Sequence, residues 1–335
     1  MKAVELNGYE GPSNLRVVDV PKPKISEREC LIEVKAAGIN FAELELTHGR
    51  YRLGKEPPFI MGFEAAGVVR EIGESVKNLE VGDRVTTIVS SGGYAEYATA
   101  PADMVLPIPE GVGFAEATTI PIQGLTAHLL LTQVAKVKPT ESLLIQAAAG
   151  GVGTYLVQLA KIMGVRKVIA LVGSPDKMRF VESLGADVVF DTSRSDWMDQ
   201  VRAATGGRGV DVVLEAASGE VGKDSFRLLA PFGRMIVFGA RNVHDTFGPE
   251  QIRQLIYNNQ TITAFNIPSY RQETIAASVG PLLALITSGK LKLFATSQFA
   301  LDEVRKAFEA LASRKTVGKV VLIPRTLKAG SSVGD

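Results

Sequence analysis

The chain has 335 residues, of which 46% are hydrophobic and 22% charged, and its 37 basic and 36 acidic side chains leave a formal net charge of +1. A single core stops growing near about 250–300 residues, so two domains are expected in an ordinary globular composition. The balanced charge speaks against a polyanionic partner, so nucleic acid is not expected as a ligand.

The first residues, Met1-Lys2-Ala3-Val4-Glu5, alternate like a strand and lack the continuous apolar run of an export signal. The longest apolar runs, Leu129–Leu131 and Val168–Val172, fall short of the roughly 18 residues a bilayer span requires, so a soluble cytoplasmic protein is expected. Cys30 is the single cysteine. It excludes an internal disulfide and a cysteine-built zinc lobe, and its strand-like neighbours Leu31-Ile32-Glu33-Val34 make it a core residue.

Up to about residue 120 the sequence is a series of short β-branched or alternating runs: Ala3–Leu6, Leu15–Val20, Leu31–Ala36, Gly67–Ile72, Arg84–Ile88 and Tyr94–Ala98. Gly, Pro and Asp turns separate them, which predicts an all-β, barrel-like domain. From about Leu125 the pattern changes to apolar strands alternating with segments of helical period. Strands are predicted at Leu143–Ala147, Val168–Val172, Val188–Phe190, Val210–Leu214, Met235–Phe238 and Thr261–Phe265, a set that suits a doubly wound parallel sheet. The remainder, Leu282–Ile323, reads as a helix, short strands, a helix at Leu301–Ala312 and a last strand at Val320–Ile323 that can close back on the first domain. A frayed tail is predicted after Pro324.

Between the first strand of the second series and the helix that follows lies Gln146-Ala147-Ala148-Ala149-Gly150-Gly151-Val152-Gly153, a glycine-rich turn with Ala148 at the first glycine place. Small residues there let backbone N–H groups approach a pyrophosphate, and the helix N-terminus adds partial positive charge. The second strand ends in Gly173-Ser174-Pro175-Asp176-Lys177. An acid for the ribose hydroxyls is missing at the strand end, while Ser174 and Lys177 can hold a ribose phosphate, so NADPH is expected over NADH. Ser174 can equally be a helix cap followed by Pro175. His48, His128 and His244 are too scattered for metal spacing.

Read together, these residues resemble the zinc-independent quinone oxidoreductase (zeta-crystallin-like) branch of the medium-chain dehydrogenase/reductase superfamily. Further landmarks run in order along the chain: Ala37–Phe41, Gly49–Tyr51, Gly62–Gly67, Val81–Val85, Gly124–Ala127, Thr205–Asp211 and Gly318–Val320. The resemblance implies an α/β protein in which a Rossmann nucleotide domain, 124–266, is inserted into a β-rich, barrel-like (GroES-like) catalytic domain, 1–123 and 267–335. It also implies a cleft where the two meet, and a homodimer joined through sheet edges of the nucleotide domains. Asn40 and Phe63 stand where metal-dependent relatives carry a catalytic Cys and His, and the remaining Glu64 cannot hold zinc alone, so no metal is expected.

The chemistry the resemblance implies is hydride transfer from NADPH to a quinone or to the β-carbon of an enone. Asn40 is a candidate donor to the acceptor carbonyl or to the cofactor, or else a buried turn amide. Tyr51 is a candidate proton donor, and Phe41, Tyr51 and Phe63 are candidate pocket walls. The resemblance places Gln123, Thr126, Phe238-Gly239-Ala240, Phe265-Asn266 and Lys319 near the cofactor. Asp191 replaces a frequent Tyr, with Arg194 as a substitute contact to the ribose phosphate. His48 is expected on the surface. Two other functions stay open: an enoyl reductase or reductive cyclase acting on a polyketide or acyl thioester, and a low-turnover NADPH-binding protein of crystallin or vesicle type.

Overall fold

The computed structural model describes residues 1–51, 54–89, 92–239 and 248–324; Ala240, His244 and the segment after Pro324 lie outside the described residues. The chain divides into two units, one formed by Met1–Pro121, Ser297–Ser313 and the chain from Val320, the other by Ile122–Thr296 and Arg314–Lys319.

The first unit holds strands β1 (Lys2–Leu6), β2 (Leu15–Asp19), β3 (Glu29–Ile39), β4 (Phe59–Ile60), β5 (Glu64–Ile72), β6 (Arg84–Ile88), β7 (Tyr97–Pro101) and β8 (Val105–Pro107). Strand β3 is longer than the alternation predicts. Its 11 residues pair with β5 along one edge and with β7 over Glu29–Glu33 on the other, so its far end is free to take a further strand and to deliver Asn40 just beyond it. Apolar residues on one face of these strands, Cys30, Ile32, Val69, Val85 and Ala100, meet in a common core. Cys30 is therefore packing, and burial pushes its thiol up to about 11. The expected strand at Tyr94–Ala98 forms instead at Tyr97–Pro101, because β3 pairs Glu33 with Tyr97 and Cys30 with Ala100. Tyr94 is fully buried, its N–H donated to Met61 O at 3.0 Å and its ring set edge-on against Phe308 at 6.3 Å.

The second unit is a six-stranded parallel sheet of β9 (Ser142–Ile145), β10 (Lys167–Val172), β11 (Val188–Asp191), β12 (Val210–Glu215), β13 (Leu229–Phe238) and β14 (Thr261–Phe265), in the order β11-β10-β9-β12-β13-β14. This is the doubly wound arrangement, with the direction of winding reversing between β9 and β12. Strand residues Leu144, Ile169, Val213 and Met235 are fully buried with helix residues Trp197, Val201 and Phe226, each contributing about 1.5–3 kcal/mol of burial. Two more strands, β15 (Ser297–Ala300) and β16 (Val320–Ile323), return to the first unit, where β16 pairs antiparallel with the free end of β3 from Ala37 to Ile39.

The sequence boundaries placed 1–123 and 267–335 in the first domain, and the division into units differs over 122–123, 267–296 and 314–319. The helix Gln272–Thr287 packs in the second unit, where a Cβ on Gly124 would lie 2.9 Å from Leu282 Cδ2. Gln158 pins the segment after this helix by donating to Lys292 O at 3.0 Å and accepting its N–H at 2.9 Å. Residues 314–319 run back to the glycine-rich turn, with Gly318 N–H donated to Ala149 O at 2.8 Å.

Candidate active site

Strand β9 stops at Ile145, two residues earlier than predicted, and Ala147 turns into the left-handed region at φ 48°. This non-glycine residue, and not Ala148, makes the sharp bend. Ala148 is fully buried and its N–H is donated to Leu171 O at 3.0 Å, so it offers a ligand no donor, contrary to its expected role. The helix Gly151–Ile162 begins with Thr154 N–H to Gly150 O at 2.9 Å, which leaves Gly151, Val152 and Gly153 as its open N–H groups. Each glycine has a steric reason. A Cβ on Gly153 would lie 2.3 Å from Ala147 O, and one on Gly151 would lie 2.0 Å from Gln123 Nε2.

Gln123 sits in a π-helical turn, Ile120–Gly124, with its amide against the helix start. It is 7% exposed, and its Oε1 is buried without a hydrogen-bond partner among the described residues. A buried orphan acceptor of this kind is a place for a ligand to donate. Thr126, in the helix Leu125–Leu129, is likewise buried. Phosphate brings only acceptors and an amide or hydroxyl brings a donor. A dinucleotide carries both, so these groups fit one.

At the end of β10, Gly173 is exposed with open space where a Cβ would be. Ser174 starts the short 3-10 turn Pro175–Lys177, but its hydroxyl makes no capping hydrogen bond and stays available. Lys177 is half-buried, and burial lowers its ammonium from the ordinary lysine value; its Nζ donates to Arg314 O. That bond brings the exposed Arg314 beside Lys177, a basic residue the sequence reading missed because 137 positions separate the two. Its signal in the sequence is weak: a basic pair, Arg314-Lys315, shortly before Gly318-Lys319-Val320. Arg194 is less available than expected, since it makes two bonds to Asp196 at 2.9 and 3.0 Å and draws that carboxyl down to about 2. Asp191 is buried, and its carboxylate accepts the Ser193 N–H at 2.9 Å and hydroxyl at 2.7 Å.

Farther along the same sheet, Phe238 and Phe265 are register partners at the carboxyl ends of β13 and β14, followed by Gly239 and Asn266. These ends and those of β9 and β10 lie on the side of the sheet where such folds bind ligands. Lys319 is fully buried, and its backbone N–H is donated to Phe294 O at 2.8 Å. Gln146 joins the two strands at the winding reversal. Its Oε1 accepts the N–H groups of Ala216 and Ala217 at 3.0 and 2.8 Å, and its Nε2 donates to Ser225 Oγ at 2.8 Å. The loop so anchored contains Ser218 at φ 59°, a strained non-glycine residue beside the ligand side of the sheet that no sequence pattern announced.

In the first unit, Asn40 caps the helix Phe41–Thr47. Its amide Nδ2 donates to Glu43 Oε2 at 3.2 Å and to Glu64 Oε1 at 3.0 Å. Both N–H bonds are engaged by carboxylates within the fold, as in a buried turn amide. Tyr51 and Phe63 come together with ring centroids 6.1 Å apart, while Phe41 is half-buried on the first turn of the helix. Burial, with the negative charge of Glu43, holds the Tyr51 phenol above the ordinary tyrosine value. His48 is exposed at the end of the helix. No group of three or more His, Cys, Asp or Glu is placed to hold a metal ion among the described residues, and no helix among them is long and apolar enough to cross a membrane.

Comparison with known proteins matches residues 26–110 to the alcohol dehydrogenase GroES-like domain and residues 151–284 to the zinc-binding dehydrogenase family. The quinone oxidoreductase of Salmonella typhimurium is 34% identical, over 96% of this chain and 99% of its own length. Highly-reducing polyketide synthase 1 of Aureobasidium melanogenum is 33% identical over 92% of this chain, which spans 14% of that protein's length. Among solved structures, the Escherichia coli quinone oxidoreductase complexed with NADPH superimposes with a TM-score of 0.89 at 30% identity, covering 97% of this chain and 100% of the other.

Proposed function

Because this chain belongs to the zinc-independent quinone oxidoreductase branch of the medium-chain dehydrogenase/reductase superfamily, we propose that it is an NADPH-dependent reductase of quinones or α,β-unsaturated carbonyls. The observation that supports the cofactor choice is the end of β10, where Gly173 leaves open space, the Ser174 hydroxyl makes no capping bond and the half-buried Lys177 follows in the next turn. Bound there, NADPH supplies a hydride to an electrophilic carbon. The chain's own part is positioning. Gly151, Val152 and Gly153 would present N–H groups to the phosphates, Gln123 Oε1 would accept from the ligand, and Lys177 would neutralise the ribose phosphate. Phe41, Tyr51 and Phe63 offer an apolar wall to a flat conjugated acceptor, and Tyr51, kept protonated by its surroundings, donates to the α-carbon of an enone.

The test is anaerobic mixing of the protein with NADPH and a panel of quinones, enones and enoyl thioesters, following loss of the reduced cofactor. Turnover of quinones or enones is expected. Tight NADPH binding with no turnover across the panel would refute the reductase reading. A preference for enoyl thioesters would favour the second reading, an acyl thioester reductase, which the likeness to a polyketide synthase segment supports. Lys177→Ala should weaken NADPH by about tenfold with little change in NADH, since only the former carries the extra phosphate.

We infer a homodimer joined at β14, the edge of its sheet, beside the helix Pro249–Asn258, which exposes Ile252, Ile256 and Tyr257 at 52%, 71% and 78%. Light scattering of Ile256→Asp should then give half the wild-type mass. We also infer that the protein works in the cytoplasm, where NADPH is available.

A further inference from the structure

Glu43 plays no part in the sequence reading, yet its carboxylate is fully buried and joins residues that the reading singled out. One oxygen, Oε2, accepts the Asn40 backbone N–H at 2.8 Å and Asn40 Nδ2 at 3.2 Å; the other, Oε1, accepts the Phe63 N–H at 2.9 Å. The bond to the Asn40 backbone N–H is the half of a capping box in which an N3 glutamate reaches back to the N-cap. The bond to Phe63 is something more. It clips the end of β3 to the turn that enters β5, a chain separation of 20 residues, and does so at full burial, where charge-assisted bonds are strong and rigid. Phe63 in turn carries the ring of Tyr51 against its own.

We propose that Glu43 is a positioning residue for the acceptor pocket: its carboxylate fixes the Phe63 backbone relative to Asn40, and through the Phe63 ring it fixes the Tyr51 phenol. This rests on the reductase reading above. The titratable groups around this carboxylate are Glu64 at the start of β5, Tyr94 ahead of β7, and Tyr51 beyond its own helix. Burial, and after it the Glu43 charge, holds the Tyr51 phenol above the ordinary tyrosine value.

Glu43→Gln keeps the size and leaves one acceptor oxygen, so either the Phe63 N–H or the Asn40 donors must face an NH2 group. The single-turnover rate of enone reduction is expected to fall about 10–100-fold, while NADPH binding, read by cofactor fluorescence, stays within about twofold. The tyrosinate absorbance assigned to Tyr51 by difference from the Tyr51→Phe variant should titrate at lower pH than in the wild type. Glu43→Asp can still cap Asn40 but is a methylene too short for Phe63, so it should show the same rate loss with Tyr51 titrating closer to wild type. The proposal is overturned if folded Glu43→Gln reduces enones at the wild-type rate, if its rate and its NADPH affinity fall together, or if Glu43→Asp restores full rate. Should Glu43→Gln fail to fold, Glu43→Asp decides alone. Should the wild-type protein reduce no acceptor, the reductase reading fails, and the Tyr51 titration in the two variants still tests the positioning.

Discussion

Replacing Gly153 with alanine probes the packing of helix on turn directly. The added Cβ would lie 2.3 Å from Ala147 O, 2.7 Å from Ala148 Cα and 2.8 Å from Ala148 C, all backbone atoms that have no rotamer to escape into. Restoring contact distance requires the helix Gly151–Ile162 and the turn to part by about 1 Å, and overpacking of this kind costs about 1–3 kcal/mol. At about 2–4 °C per kcal/mol the melting temperature should drop by roughly 2–12 °C. The same displacement moves the open N–H groups of Gly151, Val152 and Gly153, so NADPH affinity should fall by about tenfold or more. Two neighbours serve as controls. Alanine at Gly151 meets only the end of the Gln123 side chain, at 2.0 Å from Nε2, which can swing away; binding should suffer while the fold is nearly unchanged. Alanine at Gly173 meets nothing within 4 Å and should leave the melting temperature unaltered. Differential scanning fluorimetry and cofactor-fluorescence titration of the three variants settle the point. Equal melting temperatures for all three, or an undiminished affinity in Gly153→Ala, would refute the reasoning.

Ser218→Gly should stabilise the protein by about 0.5–2 kcal/mol in urea unfolding, because φ 59° with ψ −176° is a region that only glycine occupies without strain; a lower midpoint would show the loop to be relaxed. Acid should destabilise the second unit through Asp211 and Glu141. Burial raises both carboxyls, but the Ser142 N–H and hydroxyl with Arg208 outweigh it for Asp211, and Arg234 with the Lys138 N–H outweighs it for Glu141, so both folded values are lowered. Their contribution is present above the unfolded values of 3.8 and 4.5 and is lost as pH falls below these toward the lowered ones, so the urea midpoint should decline there and decline less in Asp211→Asn. Arg194→Ala, in contrast to Lys177→Ala, should change NADPH affinity less than about twofold, since Asp196 already engages the guanidinium; a loss equal to that of Lys177→Ala would reinstate Arg194 as a phosphate contact.

The periodicity of the chain was enough to place most strands, because a buried parallel strand or a half-buried barrel strand must carry its apolar residues at fixed spacing whatever surrounds it. Arg84–Ile88 and Val320–Ile323 fall on their predicted residues for that reason. The glycine turn was equally legible: Gly153 is required by its approach to the Ala147-Ala148 backbone, within the same motif. The sequence was weaker wherever a residue's role depends on a distant partner. Tyr94 was read into a strand that its pairing with β3 places three residues later, and Gln272–Thr287 was given to the wrong unit because its packing partner at Gly124 lies more than a hundred residues away. Arg314 enters the cofactor end only through Lys177.

The turn at Ala147–Gly153 and the Ser174–Lys177 segment thus pointed to NADPH from the sequence by itself, since a backbone donor array and an adjacent cation are local features. What Asn40 does was decided by tertiary structure alone. An amide can donate to a ligand or to its own fold, and the choice was made when β3, the helix after it and the entry to β5 brought Glu43 and Glu64 within hydrogen-bonding reach of the same nitrogen. Spacing along a chain can specify which groups are available; only the packed fold specifies which of them are already engaged.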